Sequence, residues 1–283
     1  MVKSLISRRN WTCAGATYGR TNRVGRRAID GLTSAPFALD FAFRPHARTV
    51  IERDGRIEDR AIRALSGGAV GAEPVRFLET DGASEFVEVR PARWLRAEVL
   101  DDLDAAGLAE HERVWNRPDA ALFALAVRVR ADALGAAPLE ALELEVLTRN
   151  ALARSLEALG AKRRPKAMRG LDGRRLDRVT EYVDAHLDGD LRLGALADVA
   201  AVSRHHFARM FRLAVGLTPH GFVAARRMER AAVAMRGGMG VSQAAASVGY
   251  GSGHRFRAAF QAQFGRAPGR YAAMVRRGLE VPS

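Results

Sequence analysis

The pattern of apolar and polar positions predicts two kinds of structure along this chain. Between Phe37 and Phe43, apolar residues alternate with small or polar ones, a period of two that predicts a half-buried strand. Further short strand-like runs follow at 48–52, 75–79 and 85–89. Glycine-containing turns separate these runs, so the region is predicted to form a small antiparallel sheet or barrel. Residues 1–35 show no period and are predicted to be a weakly ordered arm that ends near a strand.

From about Asp119 onward the pattern becomes helical. One amphipathic helix is predicted from Asp119 to the break at Gly135 and Pro138, and a second covers about 139–159. Their apolar faces are expected either to pack against the sheet or to pair with a second copy of the chain. The segment 161–170 is basic, contains a proline and ends in glycine, which is typical of a linker.

The last third of the chain contains a repeat. Leu196-Ala197 recurs as Ala244-Ala245 at an offset of 48 residues, and Ser203 recurs as Ser252 at an offset of 49. Four further pairs keep the offset of 49: Phe207 and Phe256, Phe211 and Phe260, Gly216 and Gly265, and Pro219 and Pro268. The second copy therefore has one extra residue, which is predicted to lie in the turn Gly249-Tyr250-Gly251.

Each copy predicts a helix, a tight turn and a second helix capped by serine, the signature of a helix-turn-helix. Phenylalanines four residues apart turn one face of each second helix toward a core. At about 100° per residue, His205, Arg209 and Arg212 point outward from the first such helix, and His254, Ala258 and Gln261 from the second. Thr218-Pro219 predicts the start of a long connecting helix that ends near Arg236.

The repeat resembles the DNA-binding domain of the AraC/XylS family of bacterial transcription regulators. The resemblance covers about Leu176–Tyr271 and rests on four stretches: LGALADVAAVSRHHFARMFRLAVGLTP, FVAARRMERAAV, VSQAAASVGY and HRFRAAFQAQFGRAPGRY. It implies an all-α C-terminal domain of seven helices that contains two helix-turn-helix units. It also implies a cupin-like N-terminal β-barrel, and a dimerisation role for the two predicted helices that follow the strands.

The charge distribution supports a polyanionic partner. The chain of 283 residues has a net charge of +13, but residues 191–283 contribute +11 of it, with 14 arginines, no lysine and three acids. Such a one-sided surplus is typical of nucleic-acid binding. Arginine replaces lysine throughout the chain, although this bias does not explain why acids become rare after Asp190.

The resemblance assigns the base and phosphate contacts residue by residue. The expected DNA-binding residues are Arg204, His205, Ala208, Arg209, Arg212, Gly253, His254, Arg255, Arg257, Ala258 and Gln261. Arg209 is the leading candidate for base recognition, since a guanidinium can bind O6 and N7 of guanine. Arg204 and Arg212 are expected to hold phosphates. Ala258 stands where relatives carry a long side chain, and Gly251 and Gly253 loosen the start of the second helix. The first unit is therefore expected to carry most of the specificity.

The sequence thus predicts a two-domain α+β protein. Residues 1–160 would form a sensor or dimerisation domain built from a small cupin-like β-barrel or sheet and a helical hairpin. Residues 161–170 would be the linker and residues 171–283 the DNA-binding domain. The predicted function is a sequence-specific transcription regulator, and an activator by the commoner family role.

Two alternatives differ in class. An architectural DNA-binding protein would show steep salt dependence with little base preference. An enzyme with an appended DNA-binding domain, such as an alkylation-repair protein, would need more than the single Cys13, and no catalytic motif is present. No catalytic residue, metal site or cofactor is assigned.

The expected partners follow from this function. They are double-stranded DNA, a second copy of the chain, RNA polymerase and a small-molecule effector. An effector pocket would be lined by residues such as Phe37, Phe41, Phe77 and Phe86. The N-terminal apolar run is too short for a secretory signal and no stretch approaches a membrane span, so the protein is expected in the cytoplasm at the nucleoid.

Overall fold

The computed structural model describes residues 5–20, 32–53, 55–105, 114–161, 171–251 and 253–276. Contacts group the chain into two units. The first comprises Met1–Val129 with Leu139–Met168, and the second comprises Arg130–Pro138 with Arg169–Ser283. The first is rich in β-strands and the second is helical, which confirms the predicted α+β class. Residues 162–170 of the predicted linker lie outside the described residues, so its boundaries stay a prediction.

Ten strands are described in the first unit, together with three helices that begin in it. The strands are β1 (Leu5–Asn10), β2 (Ala14–Arg20), β3 (Leu32–Ser34), β4 (Leu39–Ala42), β5 (His46–Arg53), β6 (Arg56–Ile62), β7 (Ser66–Ala69), β8 (Val75–Thr80), β9 (Glu85–Pro91) and β10 (Val114–Arg117). They form a six-stranded sheet in the order β1-β2-β9-β4-β7-β10 and a four-stranded sheet in the order β3-β8-β5-β6. The described strands therefore form two separate sheets and no closed barrel.

The prediction of a weakly ordered arm over residues 1–35 is wrong for its described parts. β1 and β2 form an antiparallel hairpin, and β2 also pairs with β9 along its whole length. β2 is buried at six of its seven positions, since it has a strand on each side. Its alanines, glycines and Thr17 show no alternation because both of its faces are covered. Residues 21–31 of the predicted arm lie outside the described residues.

The helices of the first unit cover one face of the six-stranded sheet. They are α1 (Arg93–Asp102), α2 (Ala120–Ala133) and α3 (Ala141–Ala158). The Asp119 carboxylate caps α2 by accepting hydrogen bonds from Ala121 N and Leu122 N at 2.9 and 3.1 Å. On the sheet side, the Phe123 ring lies edge-on to Phe41 of β4, with centroids 6.1 Å apart. The two predicted helices α2 and α3 are confirmed, whereas α1 was not predicted.

Seven helices are described between residues 171 and 276, as the resemblance implied. They are α4 (Gly173–Ala185), α5 (Leu193–Val199), α6 (Arg204–Val215), α7 (Pro219–Arg236), α8 (Val241–Ala246), α9 (Gly253–Phe264) and α10 (Pro268–Arg276). The helix pairs α5–α6 and α8–α9 are the two helix-turn-helix units. The long helix α7 joins them, beginning at the predicted Pro219 and ending at the predicted Arg236.

The two helix-turn-helix units have the same turn. Ala201 and Gly249, 48 residues apart, both adopt a left-handed conformation, with φ of 54° and 75°. The next residue in each unit, Val202 or Tyr250, donates its backbone N–H to the carbonyl five residues earlier, at 3.1 and 3.0 Å. From α6 and α9 onward the offset is 49, so Gly251 is the extra residue of the second copy.

The repeat also extends into the aromatic core. In the first helix-turn-helix unit and the start of α7, the rings of Phe207, Phe211 and Phe222 follow one another with centroids 5.4 Å apart at each step. In the second unit, Phe256, Phe260 and Tyr271 repeat the arrangement at 5.6 and 5.2 Å. Each trio is buried. The first joins α6 to α7, and the second joins α9 to α10. This packing fixes the rotation of α6 and α9, and therefore which side chains face outward.

Candidate nucleic-acid interface

Helix α6 presents a basic and polar outer face. The Ser203 hydroxyl caps its N-terminus by accepting a hydrogen bond from His206 N at 3.4 Å. Phe207 and Phe211 are buried, so the helix turns the opposite face to solvent. The predicted contact residues Arg204, His205, Arg209 and Arg212 are all exposed on it. A cap and two buried rings therefore orient a helix that has the size and shape to enter a major groove.

Helix α9 repeats this orientation with different chemistry. Phe256, Phe260 and Phe264 are buried, and the predicted contact residues are all exposed: Gly253, His254, Arg255, Arg257, Ala258 and Gln261. Ser252, the predicted N-cap, lies outside the described residues. Gly253 and Ala258 carry no hydrogen-bonding side chain, so these two positions cannot donate a hydrogen bond to a base edge.

The arginines of these outer faces are available for an anionic partner. Among the described residues, no acidic partner is found for Arg204, Arg209, Arg212, Arg255 or Arg257. The arginines of α7 differ. Arg226 is paired with Asp184, with Nε 2.7 Å from Oδ1, and Arg227 donates to the carbonyls of Leu187 and Gly189 at 2.9 and 2.6 Å. Arg227 is thus structural, whereas the exposed arginines of α6 and α9 have no such partner among the described residues.

Ala208 is placed differently from the other predicted contact residues. It is half-buried and lines a groove of the second unit together with Leu196, His220 and Tyr250. Burial raises the pKa of Tyr250, although the nearby Arg227 lowers it. A methyl group at the edge of this groove can make apolar contact with a base but cannot form a hydrogen bond.

Comparison with known proteins matches the repeat. A model described as a helix-turn-helix domain matches residues 196–274, from α5 into α10, and so includes both units. Residues 196–274 are an AraC-type helix-turn-helix domain. The resemblance stated from the sequence is thereby confirmed for this part of the chain.

The relatives of the AraC-type domain carry regulator names. A probable transcriptional regulator LumQ from Photobacterium leiognathi is 30% identical over 100 residues, which are 35% of this chain and 40% of that protein. The RCS-specific HTH-type transcriptional activator RclR from Escherichia coli (strain K12) is 40% identical over 83 residues, 29% of each chain. The chain thus spans less than half the length of these relatives.

A solved structure also matches this region. The C-terminal domain of AraT, a response regulator from Geobacillus stearothermophilus, is 27% identical. The match covers 37% of this chain and 87% of that one, with a TM-score of 0.35.

The first unit contains a cavity whose lining residues all belong to that unit. Residues of both sheets line it, and its volume is about 80 Å³. Phe41, Phe77 and Phe86 are among the lining residues, as predicted for a pocket, but Phe37 is not. The prediction is wrong for Phe37 because its ring instead lies against the Arg96 guanidinium, 4.0 Å from the ring centroid.

The sequence did not reveal the acidic groups of this cavity. Asp40 and Glu88 alternate with apolar residues on β4 and β9, so their pattern is that of ordinary solvent-facing positions. Both residues line the cavity. The pairing of β4 with β9 identifies them, and no local sequence pattern contains that pairing.

No helix in the described part of the chain is long and apolar enough to cross a bilayer.

Proposed function

We propose that the protein is a sequence-specific DNA-binding transcription regulator that places α6 and α9 in two successive major grooves. The observation that carries this proposal is the pair of outward arginine-bearing helices, held by matching aromatic trios within an AraC-type domain. Unpaired guanidinium groups on both helices are suited to phosphate oxygens and to guanine edges.

The connecting helix has a suitable length for this geometry. Helix α7 has 18 residues, or about 27 Å at 1.5 Å per residue. Successive major grooves on one side of a duplex are about 34 Å apart. Nearly every side of α7 is buried, so it can serve as a stiff spacer between the two recognition helices.

The proposal assigns different roles to the two helices. Arg209 on α6 would recognise a guanine, with His205 beside it, and Arg204 and Arg212 would bind phosphates. On α9, Arg255 and Arg257 would mainly bind the backbone, because Ala258 and Gly253 provide no polar group for a base. The first helix-turn-helix would then carry most of the sequence preference.

The remaining roles are part of the proposal. We infer an activator that contacts RNA polymerase. The E. coli relative is named an activator, and that name describes the whole of that protein. The first unit would sense a small-molecule effector, for which its cavity offers a site, and would form a homodimer. Leu142 and Val146, four residues apart on α3, are 72% and 42% exposed and offer an apolar dimer contact. Such a regulator would act in the cytoplasm at the nucleoid and would be no enzyme.

The test is selection of binding sites from a random DNA pool with the full-length protein at physiological salt. We expect an asymmetric motif with two clusters about one helical turn apart. Arg209→Ala should relax the preference at one base pair, costing about 1–3 kcal/mol there. Arg255→Ala should weaken binding to all sequences alike. Arg230→Ala is the matched control, because Arg230 is exposed on α7 rather than on a recognition helix.

Two results would contradict the proposal. If Arg255→Ala relaxed base preference more than Arg209→Ala, the division of roles between the two helices would be wrong. If the pool gave enrichment with no motif, and binding fell steeply with salt, the architectural alternative would replace sequence-specific regulation.

A further inference from the structure

The cavity of the first unit lies between the inner faces of its two sheets. Strands β4, β7 and β9 supply one side of the cavity, and β5, β6 and β8 supply the other. Gly67 and Gly68 of β7 line it without side chains. A volume of about 80 Å³ exceeds what one water molecule occupies and is suited to a small ligand group.

Two carboxyl groups stand side by side on the first of these faces. Asp40 of β4 is paired directly with Glu88 of β9 in the antiparallel ladder, so both side chains project from the same face. Like charges in this position are unfavourable. Burial, followed by the charge of Glu88, raises the pKa of Asp40 well above its usual value. Burial likewise raises the pKa of Glu88, against the hydrogen bond that its Oε2 accepts from Ala35 N at 3.3 Å.

Polar atoms that face this space lack partners. Oδ2 of Asp40 and Oγ1 of Thr49 are both buried, and neither has a hydrogen-bond partner within the described residues. Thr49 is 1% exposed and lies on β5, across the cavity from β4. Buried polar atoms in proteins are nearly always paired, so this carboxylate oxygen and this hydroxyl are available to hydrogen-bond a ligand in the cavity.

The other titratable groups of the lining are already satisfied. His46 lies 3.2 Å from Asp81 through Nδ1 and 3.2 Å from Ser84 through Nε2, and burial lowers its pKa. Glu85 accepts a hydrogen bond from the Tyr18 hydroxyl at 3.1 Å and lies 3.8 Å from the Arg44 guanidinium. The lining residues include no lysine or arginine. Outside the lining, Nε of Arg90 lies 3.7 Å from Oε1 of Glu88, whereas no cationic partner is found for Asp40 among the described residues. Asp40 is therefore the carboxyl group of the cavity that a bound cation would compensate.

The lining also includes apolar and aromatic side chains. Ile62, Phe77 and Phe86 face the space. The Phe86 ring lies on Gly19, where an added Cβ would be 2.2 Å from the ring, so the glycine allows the ring to keep its position against the sheet. Aromatic rings next to carboxylates are the usual surroundings of a bound organic cation, because both attract positive charge.

We propose that this cavity binds a small organic cation, a protonated amine or amidine on a compact apolar body, that pairs with Asp40 and Glu88. The cation lies beside the two carboxyl groups, offsets their negative charge and donates an N–H to the unpaired Oδ2 of Asp40. Oγ1 of Thr49 accepts a second N–H, and Phe77 and Phe86 contact the apolar body. This cation would be the effector of the regulator proposed above. Binding of the cation does not depend on that proposed function, but its effect on DNA binding does.

The test uses calorimetric titration of the full-length protein without DNA at pH 7.5. The probes are benzylamine, benzyl alcohol and benzoate, which share one ring and differ in charge, with isobutylamine as a smaller amine and calcium chloride as an inorganic cation. We expect at least one amine to bind more than tenfold tighter than benzyl alcohol, and benzoate and calcium not to bind. Asp40→Asn should weaken amine binding at least tenfold, and Thr49→Val should weaken it less. Asp102→Asn, an exposed carboxyl of α1, is the matched control and should bind as the parent does.

Several outcomes would overturn the inference. Equal affinity for benzylamine and benzyl alcohol would show a purely apolar pocket, and tightest binding of benzoate or calcium would show a different ligand class. The inference would also be refuted if neither amine bound at about 10 mM, a concentration at which even weak binding is detected. Amine binding that survives Asp40→Asn would refute it as well. DNA affinity is then measured with and without the amine. An amine that binds but leaves DNA affinity unchanged would retain the site and reject its effector role.

Discussion

The turn of the second helix-turn-helix should tolerate no side chain at Gly249. Its φ is 75°, and a Cβ added there would lie 2.7 Å from the Asp188 carbonyl oxygen and 3.3 Å from Nη2 of Arg227. Arg227 in turn holds the carbonyls of Leu187 and Gly189. Gly249→Ala should therefore strain the turn and push apart the contacts that support α8 and α9.

The magnitude follows from these two effects. A left-handed conformation costs a residue other than glycine about 1–3 kcal/mol. The overlap with a backbone oxygen places Gly249→Ala in the upper part of that range, at about 2–3 kcal/mol. Ala201 occupies the matching turn with φ of 54° and is exposed, so Ala201→Gly should instead stabilise by about 0.5–1 kcal/mol. Gly251→Ala is the matched control, because no atom lies within 4 Å of its added Cβ and its φ is not positive.

Scanning calorimetry and chemical denaturation of the full-length variants measure these differences. We expect the transition of the second unit to fall by about 10 °C in Gly249→Ala, since each kcal/mol moves a domain of this size by about 4–8 °C. Gly251→Ala should stay near the parent. Equal losses in Gly249→Ala and Gly251→Ala would refute the argument from φ and from the Asp188 overlap.

Three further changes test other parts of the structure. Glu229→Ala leaves the fully buried Arg130 guanidinium without its carboxylate and should lower the free energy of unfolding by about 3–5 kcal/mol, measured by urea denaturation; a loss below 1 kcal/mol would contradict the ion pair. The pKa of Asp40 is raised in the folded state, so the stability it contributes is present below its usual value of about 3.8 and is lost as pH rises through the folded pKa. Asp40→Asn should accordingly raise Tm at pH 7 and make Tm depend less on pH. A dependence of Tm on pH equal to that of the parent would disprove the buried-charge argument. Leu142→Glu with Val146→Glu should convert a dimer into a monomer in sedimentation experiments without lowering Tm, and an unchanged sedimentation coefficient would exclude this surface.

Local signals account for the parts of the fold that the sequence predicted well. Thr218 caps α7 through a 3.1 Å hydrogen bond from Gly221 N, and Pro219 follows at the first helical position. Phenylalanines four residues apart gave both recognition helices their buried face. These signals act within a few residues, so the sequence pattern contains them directly. The outward position of Arg209 follows from the same periodicity.

The sequence could not predict features that depend on distant partners. Helix α1 buries only Leu95 and Val99, which is too short an apolar stripe for a periodicity argument. The buried Arg130–Glu229 pair joins residues 99 positions apart, and Gln263 also donates to Glu229. In a linear pattern, such a charge is indistinguishable from one on a solvated face. Only the tertiary structure shows that its desolvation must be offset by a partner.

The two helix-turn-helix units combine a repeated scaffold with unequal faces, and in the proposed complex with DNA this combination would favour one orientation. The aromatic trios and left-handed turns recur, so both recognition helices are held by the same packing. Arg209 on α6 has its counterpart at Ala258 on α9, which replaces a group able to bind two base acceptors by a methyl group. Each such contact is worth about 1–3 kcal/mol of discrimination, so exchanging the two helices between half-sites would lose that preference while keeping the phosphate contacts. An asymmetric site bound in a fixed direction would let the proposed regulator present one face to a polymerase.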